Sequence, residues 1–95
     1  MKLKIVAYKD NKLNVFTNPF FLGNSSNEDI IENTRRMCAN PDMPKVYFDY
    51  DLYCLGEYDD KTGHFDTKDP EFLVSLGDYR HLAAKEEVEK VDVVG

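Results

Sequence analysis

Basic side chains and aromatic rings are the residues of this chain whose types suggest a chemistry, and that chemistry is contact with a polyanion. Lysine and arginine contact phosphates, and exposed rings stack on unpaired bases. On the residues alone, surface lysines above core aromatics are the favoured alternative. A shared surface requires the first strand and the helix to lie side by side. The candidate nucleic-acid-binding residues are Lys2, Lys4, Lys9, Lys12, Arg35, Arg36, Tyr8 and Tyr47, with Phe16 and Tyr53 as further rings.

Enzymatic and metal chemistry are not indicated by the sequence. His64 and His81 are too isolated to form a zinc pair. The acids at positions 49–51 and 59–60 do not fit a twelve-residue calcium loop, and we interpret them as turn openers and solvated strand positions. The chain has no Ser-His-Asp pattern, GxSxG, HExxH or phosphate-binding loop. We therefore predict no catalytic residue, no metal and no cofactor.

The charge is divided between a basic start and an acidic middle. The 95 residues carry 12 Lys plus Arg and 18 Asp plus Glu, a net charge of −6. Residues 1–20 hold four lysines against one aspartate, and residues 42–72 hold nine acids against three lysines. Such a protein repels polyanions overall and can still present one basic face. The balance counts against a protein that coats DNA without sequence preference, which needs a continuous positive groove.

Cys38 and Cys54 indicate a reducing compartment. They form no CxxC and no metal-like spacing, so we predict two small buried residues. The N-terminal residues alternate lysine with apolar side chains and contain no signal-peptide core, and no run approaches a membrane span. The sequence therefore predicts a protein without membrane contact that stays in the cytoplasm where it is made.

Two hairpins are predicted from period-two patterns and turn residues. The first joins Lys2–Tyr8, in which Leu3, Ile5 and Ala7 share one side, to residues 13–17. The second joins the aromatic run 47–58 to residues 64–66 through Asp59-Asp60-Lys61-Thr62-Gly63, a type I turn with a G1 bulge. In the aromatic strand we expect one face to hold Tyr50, Leu52, Cys54 and Tyr58, with Gly56 marking a bulge or a close approach.

One helix is predicted between the hairpins. Ser26 is its N-cap, and Asn40-Pro41 ends it. Its apolar stripe consists of Ile30, Thr34, Met37 and Cys38. Phe20-Phe21-Leu22 is expected to be a short core plug, and residues 72–76 a last strand. The predicted fold class is α+β, a small antiparallel sheet of four to five strands packed with one main helix. Residues 1–82 form its single domain, and residues 83–95 an acidic tail that is a frayed helix or disordered.

Three segments, which occur in the same order along the chain as in a known family, carry a resemblance to that family. The chain is similar, over roughly residues 1–76, to the small nonstructural protein of gokushovirus-type microviruses, the single-stranded DNA phages of bacteria. Tyr58 stands where that family more often has Phe. The segments that carry the resemblance are Tyr8-Lys9-Asp10-Asn11-Lys12 with Asn18-Pro19-Phe20-Phe21, then Arg35 or Arg36 before Asn40-Pro41, and last Asp49-Tyr50-Asp51-Leu52-Tyr53-Cys54-Leu55-Gly56-Glu57-Tyr58-Asp59-Asp60-Lys61-Thr62-Gly63.

The resemblance implies a non-catalytic phage accessory protein in the cytoplasm of the bacterial host. It implies a factor that binds single-stranded viral DNA and acts in the switch from genome replication to packaging. The alternative is a protein-binding adaptor that contacts the phage replication initiator, host replication proteins or the procapsid without touching DNA, and the net charge fits this better. A homodimer stays open under either hypothesis, because small sheets often pair their edges.

Overall fold

The computed structural model describes residues 1–23 and 25–82. It confirms the predicted α+β class: an antiparallel sheet of five strands with one main helix. Two short 3-10 segments, Lys45–Asp49 and Leu76–Tyr79, lie before and after the second hairpin. The predicted tail, residues 83–95, lies outside the described residues. The strands are β1 (Lys2–Asp10), β2 (Val15–Phe16), β3 (Phe20–Leu22), β4 (Tyr50–Asp59) and β5 (His64–Ser75), and the helix is α1 (Asn27–Ala39).

Strand β1 occupies the centre of the sheet. The strand order is β2-β1-β4-β5, and β3 pairs with β1 on the same edge as β2. All the pairings are antiparallel. Three consecutive residues of β1 are buried: Ile5, Val6 and Ala7. Because successive side chains of a strand point to opposite faces, both faces of the sheet must be covered at this level.

Both predicted hairpins form, and their loops have the same construction. The carboxylate of Asp10 accepts the N–H of Lys12 at 2.9 Å, and that of Asp59 accepts the N–H of Lys61 at 2.9 Å. Four residues after each aspartate stands a residue with positive φ, Asn14 (57°) in one loop and Gly63 (72°) in the other. Its N–H donates to the aspartate carbonyl, at 2.7 and 2.8 Å. Asn and Gly are the residues that adopt this conformation most easily.

Strand β5 differs from the prediction. The sequence predicted two strands here, a return strand at 64–66 and a last strand at 72–76, whereas the structure has one strand, His64–Ser75. Between the pairs Gly56–Thr67 and Cys54–Glu71, β5 has three residues, 68–70, opposite the single residue Leu55 of β4, so it carries two extra residues. Pro70, which has no N–H to donate, lies in this bulge at the sheet edge, where proline is tolerated. The chain of β5 therefore continues as one strand, while its hydrogen-bonded pairing with β4 is interrupted at residues 68–70.

Helix α1 begins and ends as predicted. Ser26 is the N-cap, and its hydroxyl accepts the N–H of Asp29 at 3.1 Å. Ile30, Thr34 and Cys38 are the buried positions of the stripe, and the hydroxyl of Thr34 donates to the carbonyl of Ile30 at 2.8 Å. A buried hydroxyl satisfied within its own helix carries no desolvation penalty.

The hydrophobic core lies between α1 and one face of the sheet. The sheet contributes Val6, Leu52 and Val74, and the 3-10 segments contribute Phe48 and Leu76. Leu76, which the sequence placed in a strand, is fully buried in the second 3-10 segment. The helix contributes Ile30 and Cys38, while Phe20 and Leu22 of the predicted plug pack at the margin of this cluster. The two cysteines are free and buried, as predicted, and burial raises the pKa of the Cys38 thiol. Within the described ranges, no helix has the length and apolar character needed to cross a membrane.

Candidate functional site

The first two predicted cations lie on the side of the sheet that faces the helix. Lys4 donates from Nζ to Asn27 Oδ1, 2.6 Å away, at the start of α1. Lys2 shares this side because side chains two residues apart in a strand point the same way. Its register partner on β4 is Asp59, whose pKa is lowered first by the backbone N–H of Lys61 and further by nearby positive charge, including that of Lys2. The two lysines are thus accompanied by polar and acidic groups.

The next two cations lie elsewhere. Lys9 is on the opposite face of the sheet, with Nζ 5.8 Å from the centroid of the Phe16 ring. Lys12 is in the first hairpin loop, and its ammonium lies 3.2 Å from the carboxylate of Asp49. That carboxylate also lies 3.5 Å from the guanidinium of Arg80. Lys9 and Lys12 therefore do not extend the surface that carries Lys2 and Lys4.

The two predicted arginines are paired with one acid on their own helix. Arg35 donates from Nε to Glu32 at 3.0 Å, and Nε of Arg36 lies 3.4 Å from the same carboxylate. The hydrogen bond from Arg35 is the main cause of the lowered pKa of Glu32. The six predicted cations are thus spread over two sheet faces, a loop and the helix. The structure does not gather them into one patch.

The two predicted tyrosines belong to the helix side. Tyr8 packs its ring against Phe20 (5.7 Å between centroids) and Tyr50 (6.0 Å), and burial is the main cause of its raised pKa. Tyr47 packs on Tyr50 at 5.4 Å. The further rings Phe16 and Tyr53 behave differently: they contact each other at 5.3 Å on the face that the helix does not cover. Of the predicted residues, these two and Lys9 share one surface.

That surface, which we call the open aromatic face, carries two rows of rings. In the first row, Tyr53 makes edge contacts with Phe16 and with Phe72, 5.3 and 5.8 Å between centroids. In the second row, Tyr58 contacts Phe21 at 5.4 Å and Phe65 at 4.7 Å. Each row runs across the sheet from the β2 or β3 edge to β5. The rings of the open aromatic face are Phe16, Phe21, Tyr53, Tyr58, Phe65 and Phe72.

The strand register brings these rings together. Tyr53 pairs with Ala7 on one side and Phe72 on the other, and residues directly opposite each other share a face. The small side chain of Ala7 leaves the space that Phe16 crosses to reach Tyr53. Ala7 is fully buried and Ile5 is 6% exposed, although α1 packs on the other side. The rings thus act as the second cover that the centre of β1 requires.

A bulge in β4 places Tyr58 on this face, which corrects the predicted side. The sequence put Tyr58 with Leu52 and Cys54, but β4 has one extra residue, Leu55, opposite the step from Ile5 to Val6. One extra residue exchanges the two faces of a strand. Beyond it Tyr58 pairs with Leu3, on the side away from the helix.

Glycine is required next to this bulge. Gly56 has φ of +142°, and a Cβ there would lie 2.3 Å from the carbonyl oxygen of Asp66 on β5. The predicted close approach at Gly56 is therefore confirmed. Only a residue without a side chain lets β5 pass at this distance while β4 changes its exposed side.

The open aromatic face is apolar and only partly shielded from solvent. Phe16, Phe21, Phe65 and Phe72 are 43%, 49%, 54% and 53% exposed. The charged residues in the strands at its first row are Lys9 and Asp51, which are register partners of opposite sign. Sequence reasoning missed Phe21, Phe65 and Phe72 as site residues. Phe65 and Phe72 are seven residues apart, so alternation along β5 puts them on opposite sides, and the bulge at 68–70 brings them to one face. Phe21 lies in the three-residue strand β3, which is too short for alternation to show its direction.

In the part of the chain that the structure describes, the polar surface outside the open aromatic face shows no second candidate site. The helix side of the sheet beyond α1 carries lysines and acids of mixed sign, among them Lys68 and Glu71, paired at 2.8 Å. Within residues 1–23 and 25–82, no group of three histidine, cysteine or acidic side chains is arranged to hold a metal ion.

Comparison with known proteins gives a family and no individual relative. No curated protein and no solved structure matches the chain. A family model described as phage ORF5 protein matches residues 3–79, which include the helix and all of the strands described above except Lys2, the first residue of β1. The chain therefore belongs to the phage ORF5 protein family.

Proposed function

We propose that this phage protein is a non-catalytic accessory factor that works as a protein-binding adaptor through its open aromatic face. The observation that carries the proposal is the arrangement of six rings on one sheet face, four of them phenylalanines about half exposed. Soluble monomers rarely leave a contiguous apolar patch of this kind uncovered unless it is an interaction site.

The chemistry of the face favours a protein over a nucleic acid. Protein interfaces are enriched in aromatic residues and depleted of charge at their centre. The first ring row has only Lys9 and Asp51 beside it in the strands, and the net charge of the chain is −6. A nucleic-acid surface needs several cations along the backbone path. Lys12, Arg35 and Arg36, which could have supplied them, each lie within 4 Å of a carboxylate.

The biological setting comes from the resemblance to the nonstructural protein of gokushovirus-type microviruses. We place the adaptor in the switch from genome replication to packaging, in the cytoplasm of the bacterial host. Its partners in this proposal are the phage replication initiator, host replication proteins or the procapsid. Each of these is a protein surface that can offer an apolar site to the ring face.

Affinity capture from infected cells tests the adaptor. The tagged full chain should retain one of the named partners, identified by mass spectrometry. The double substitution Phe65→Ser with Phe72→Ser should abolish capture, since it removes one ring from each row. Val46→Ser is the matched control, because Val46 is 51% exposed and belongs to the 3-10 segment outside the face. Capture that survives the double substitution, in a protein whose circular dichroism is unchanged, would contradict the proposal.

A second candidate is binding of single-stranded viral DNA on the same face. It is favoured by one observation: Lys9 lies over Phe16, which in turn contacts Tyr53. A cation beside two rings can contact a phosphate while bases stack.

An oligonucleotide titration at two salt concentrations separates this candidate from the adaptor. Binding should weaken between about 50 and 200 mM salt, and Lys9→Glu should weaken it further. The paired control Lys2→Glu with Lys4→Glu changes two lysines of the other sheet face and should have little effect. Absence of binding near 50 mM salt removes the DNA candidate and leaves the adaptor unaffected.

A further inference from the structure

We propose that a second copy of this chain covers the open aromatic face, so that self-association competes with the partner for the same surface. The inference rests on the proposed function in one respect, that the face is a protein contact site. It adds the identity of one occupant and a means of regulation. At high concentration the face is covered by its own copy, and release of the monomer exposes it.

The strand order makes the face complementary to itself. The long strands β1 and β4 lie in the middle, with the ring-bearing strands β2 and β3 outside one and β5 outside the other. A two-fold axis parallel to the strands, between β1 and β4, lays β1 of one copy over β4 of its partner. Two sheets packed face to face in this way lie about 10 Å apart, as in β-sandwiches.

This arrangement places the two ring rows of one copy over those of the other. Ala7 and Tyr53 are register partners on β1 and β4, so the axis places each Tyr53 over the Ala7 of the other copy. Leu3 and Tyr58 are related in the same way in the second row. The outer phenylalanines of the β2 and β3 edge then lie over those of β5. Ala7 is already covered by the rings of its own copy, so the contact is of ring row against ring row, as between the inner faces of two packed sheets.

The charges match as well. Lys9 and Asp51 are also register partners on β1 and β4. The same axis therefore brings Lys9 of each copy opposite Asp51 of the other, forming two ion pairs of equal geometry. An isologous interface requires this reciprocity, in which the first residue meets the second and the second meets the first.

The exposed phenylalanines supply about half of the area that a standard dimer interface buries. A phenylalanine buries about 150–250 Å² when fully covered. Four phenylalanines about half exposed would thus contribute roughly 400 Å². A standard interface buries roughly 800 Å² per partner, so these rings alone supply about half. The tyrosines, Leu3 and the aliphatic parts of Lys9 lie on the same face to extend it.

The sheet edges are poor alternatives for self-association. One edge is formed by β2, of two residues, and β3, of three. The other is β5, which carries Lys68, Glu71 and the bulge containing Pro70. Short strands, charges, bulges and proline are the features that block edge-to-edge pairing. Self-association is thus directed to the face.

Sedimentation equilibrium of the full chain over a wide concentration range, with a complementary pair of charge variants, tests the dimer. The wild type should approach twice the chain mass as its concentration rises. Lys9→Asp should raise the dissociation constant about tenfold or more, because the axis then faces two carboxylates against two others. Asp51→Lys should do the same with ammonium groups. An equimolar mixture of the two variants should dimerise again, since the heterodimer restores both ion pairs.

The mixing result distinguishes this interface from any other. A stability effect within one chain cannot be rescued by a second chain, and circular dichroism of each variant confirms folding. Phe72→Ser should also give a monomer. A wild type that stays monomeric throughout, or a dimer that none of these changes weakens, would overturn the inference.

The two proposals fail in different ways. If the wild type is monomeric and partner capture is still lost with Phe65→Ser and Phe72→Ser, the adaptor stands and the dimer is wrong. If the dimer forms and obeys the mixing test but capture ignores the face, the dimer stands and the adaptor is wrong. If both hold, added untagged protein should reduce capture of the partner in proportion to dimer formation.

Discussion

The two faces of this sheet are built from the same strands but differ in how far their apolar side chains are covered. The helix side is closed by α1 and the two 3-10 segments, and its sheet residues Val6, Leu52 and Val74 are at most 5% exposed. The open aromatic face has no second layer within the described chain, and its four phenylalanines stay about half exposed. Burial on the first face specifies the fold. Exposure on the second leaves apolar side chains in contact with solvent.

The largest effect is expected on the helix side. Leu52→Ala should lower the free energy of unfolding by about 2–5 kcal/mol, because it leaves a cavity where Leu52 is only 2% exposed. Phe72→Ala, on the open aromatic face, should cost about 1 kcal/mol, since it removes one edge contact with Tyr53 and a ring half in water. Urea denaturation at a concentration where the chain is monomeric compares them. Equal losses would mean that the two faces do not differ in the way described.

The next effect is expected at the residue where β4 exchanges its faces. Gly56→Ala should cost about 2–4 kcal/mol, because the new Cβ meets the Asp66 carbonyl and φ of +142° is unfavourable for alanine. Gly23→Ala is the control, because a Cβ there meets no atom within 4 Å. Thermal denaturation of both variants measures the difference. A Gly56→Ala protein as stable as the control would show that β4 and β5 separate without cost.

A smaller effect is expected beneath the rings. Ala7→Leu should destabilise the chain by about 1–3 kcal/mol, since Ala7 is fully buried and its small side chain allows Phe16 to reach Tyr53. The same substitution should also weaken self-association, because a larger side chain beneath Phe16 and Tyr53 displaces the rings that face the partner. Leu3→Met, a volume-conserving change on the same face, should cost less than about 1.5 kcal/mol. Denaturant midpoints and sedimentation give the two readouts.

The smallest effect is expected from acid. The backbone N–H of Lys61 is the main cause of the lowered pKa of Asp59. A carboxyl with a folded-state pKa below its unfolded value stabilises above the unfolded pKa, and this is lost as pH falls through the folded value. The gap between the melting temperatures of wild type and Asp59→Ala should therefore narrow between about pH 4 and pH 2. A gap that stays constant over that range would show that the charge of Asp59 does not contribute to the stability of the turn.

Sequence patterns correctly predicted the elements that depend on contacts between residues close in the sequence. The Ser26 cap, the helix stripe and both aspartate-led turns depend on residues within four positions of each other, and the structure has them all. The prediction that Phe20-Phe21-Leu22 is a core plug was right for two of the three residues. Phe20 and Leu22 pack on the core, whereas Phe21 pairs in a short strand and lies on the open aromatic face. Its outward direction follows from pairing with Ile5, sixteen residues away, which no local pattern reports.

The candidate site was the harder part to predict for the same reason. The rings of the first row come from Phe16, Tyr53 and Phe72, and only register across three strand pairings shows that they meet. The bulge at Leu55 puts Tyr58 on the face opposite to the one that simple alternation gives, and the bulge at 68–70 brings Phe65 and Phe72 to the same face. The cations were chosen by residue type, and type does not reveal that Glu32 accepts both arginines or that Asp49 meets Lys12.

Beyond Gly56 the sheet extends past the helix, with exposed acids such as Glu57 and Asp66 on one side and the second ring row on the other. Residues 57–67 contribute no side chain to the core that packs on α1, so the amide protons of this extension lie outside that core. Their exchange with deuterium should proceed through local openings that cost less than global unfolding. A molecule bound to the rings would slow the exchange of the amide protons beneath it. Hydrogen exchange of the unmodified protein would therefore show when the open aromatic face is occupied.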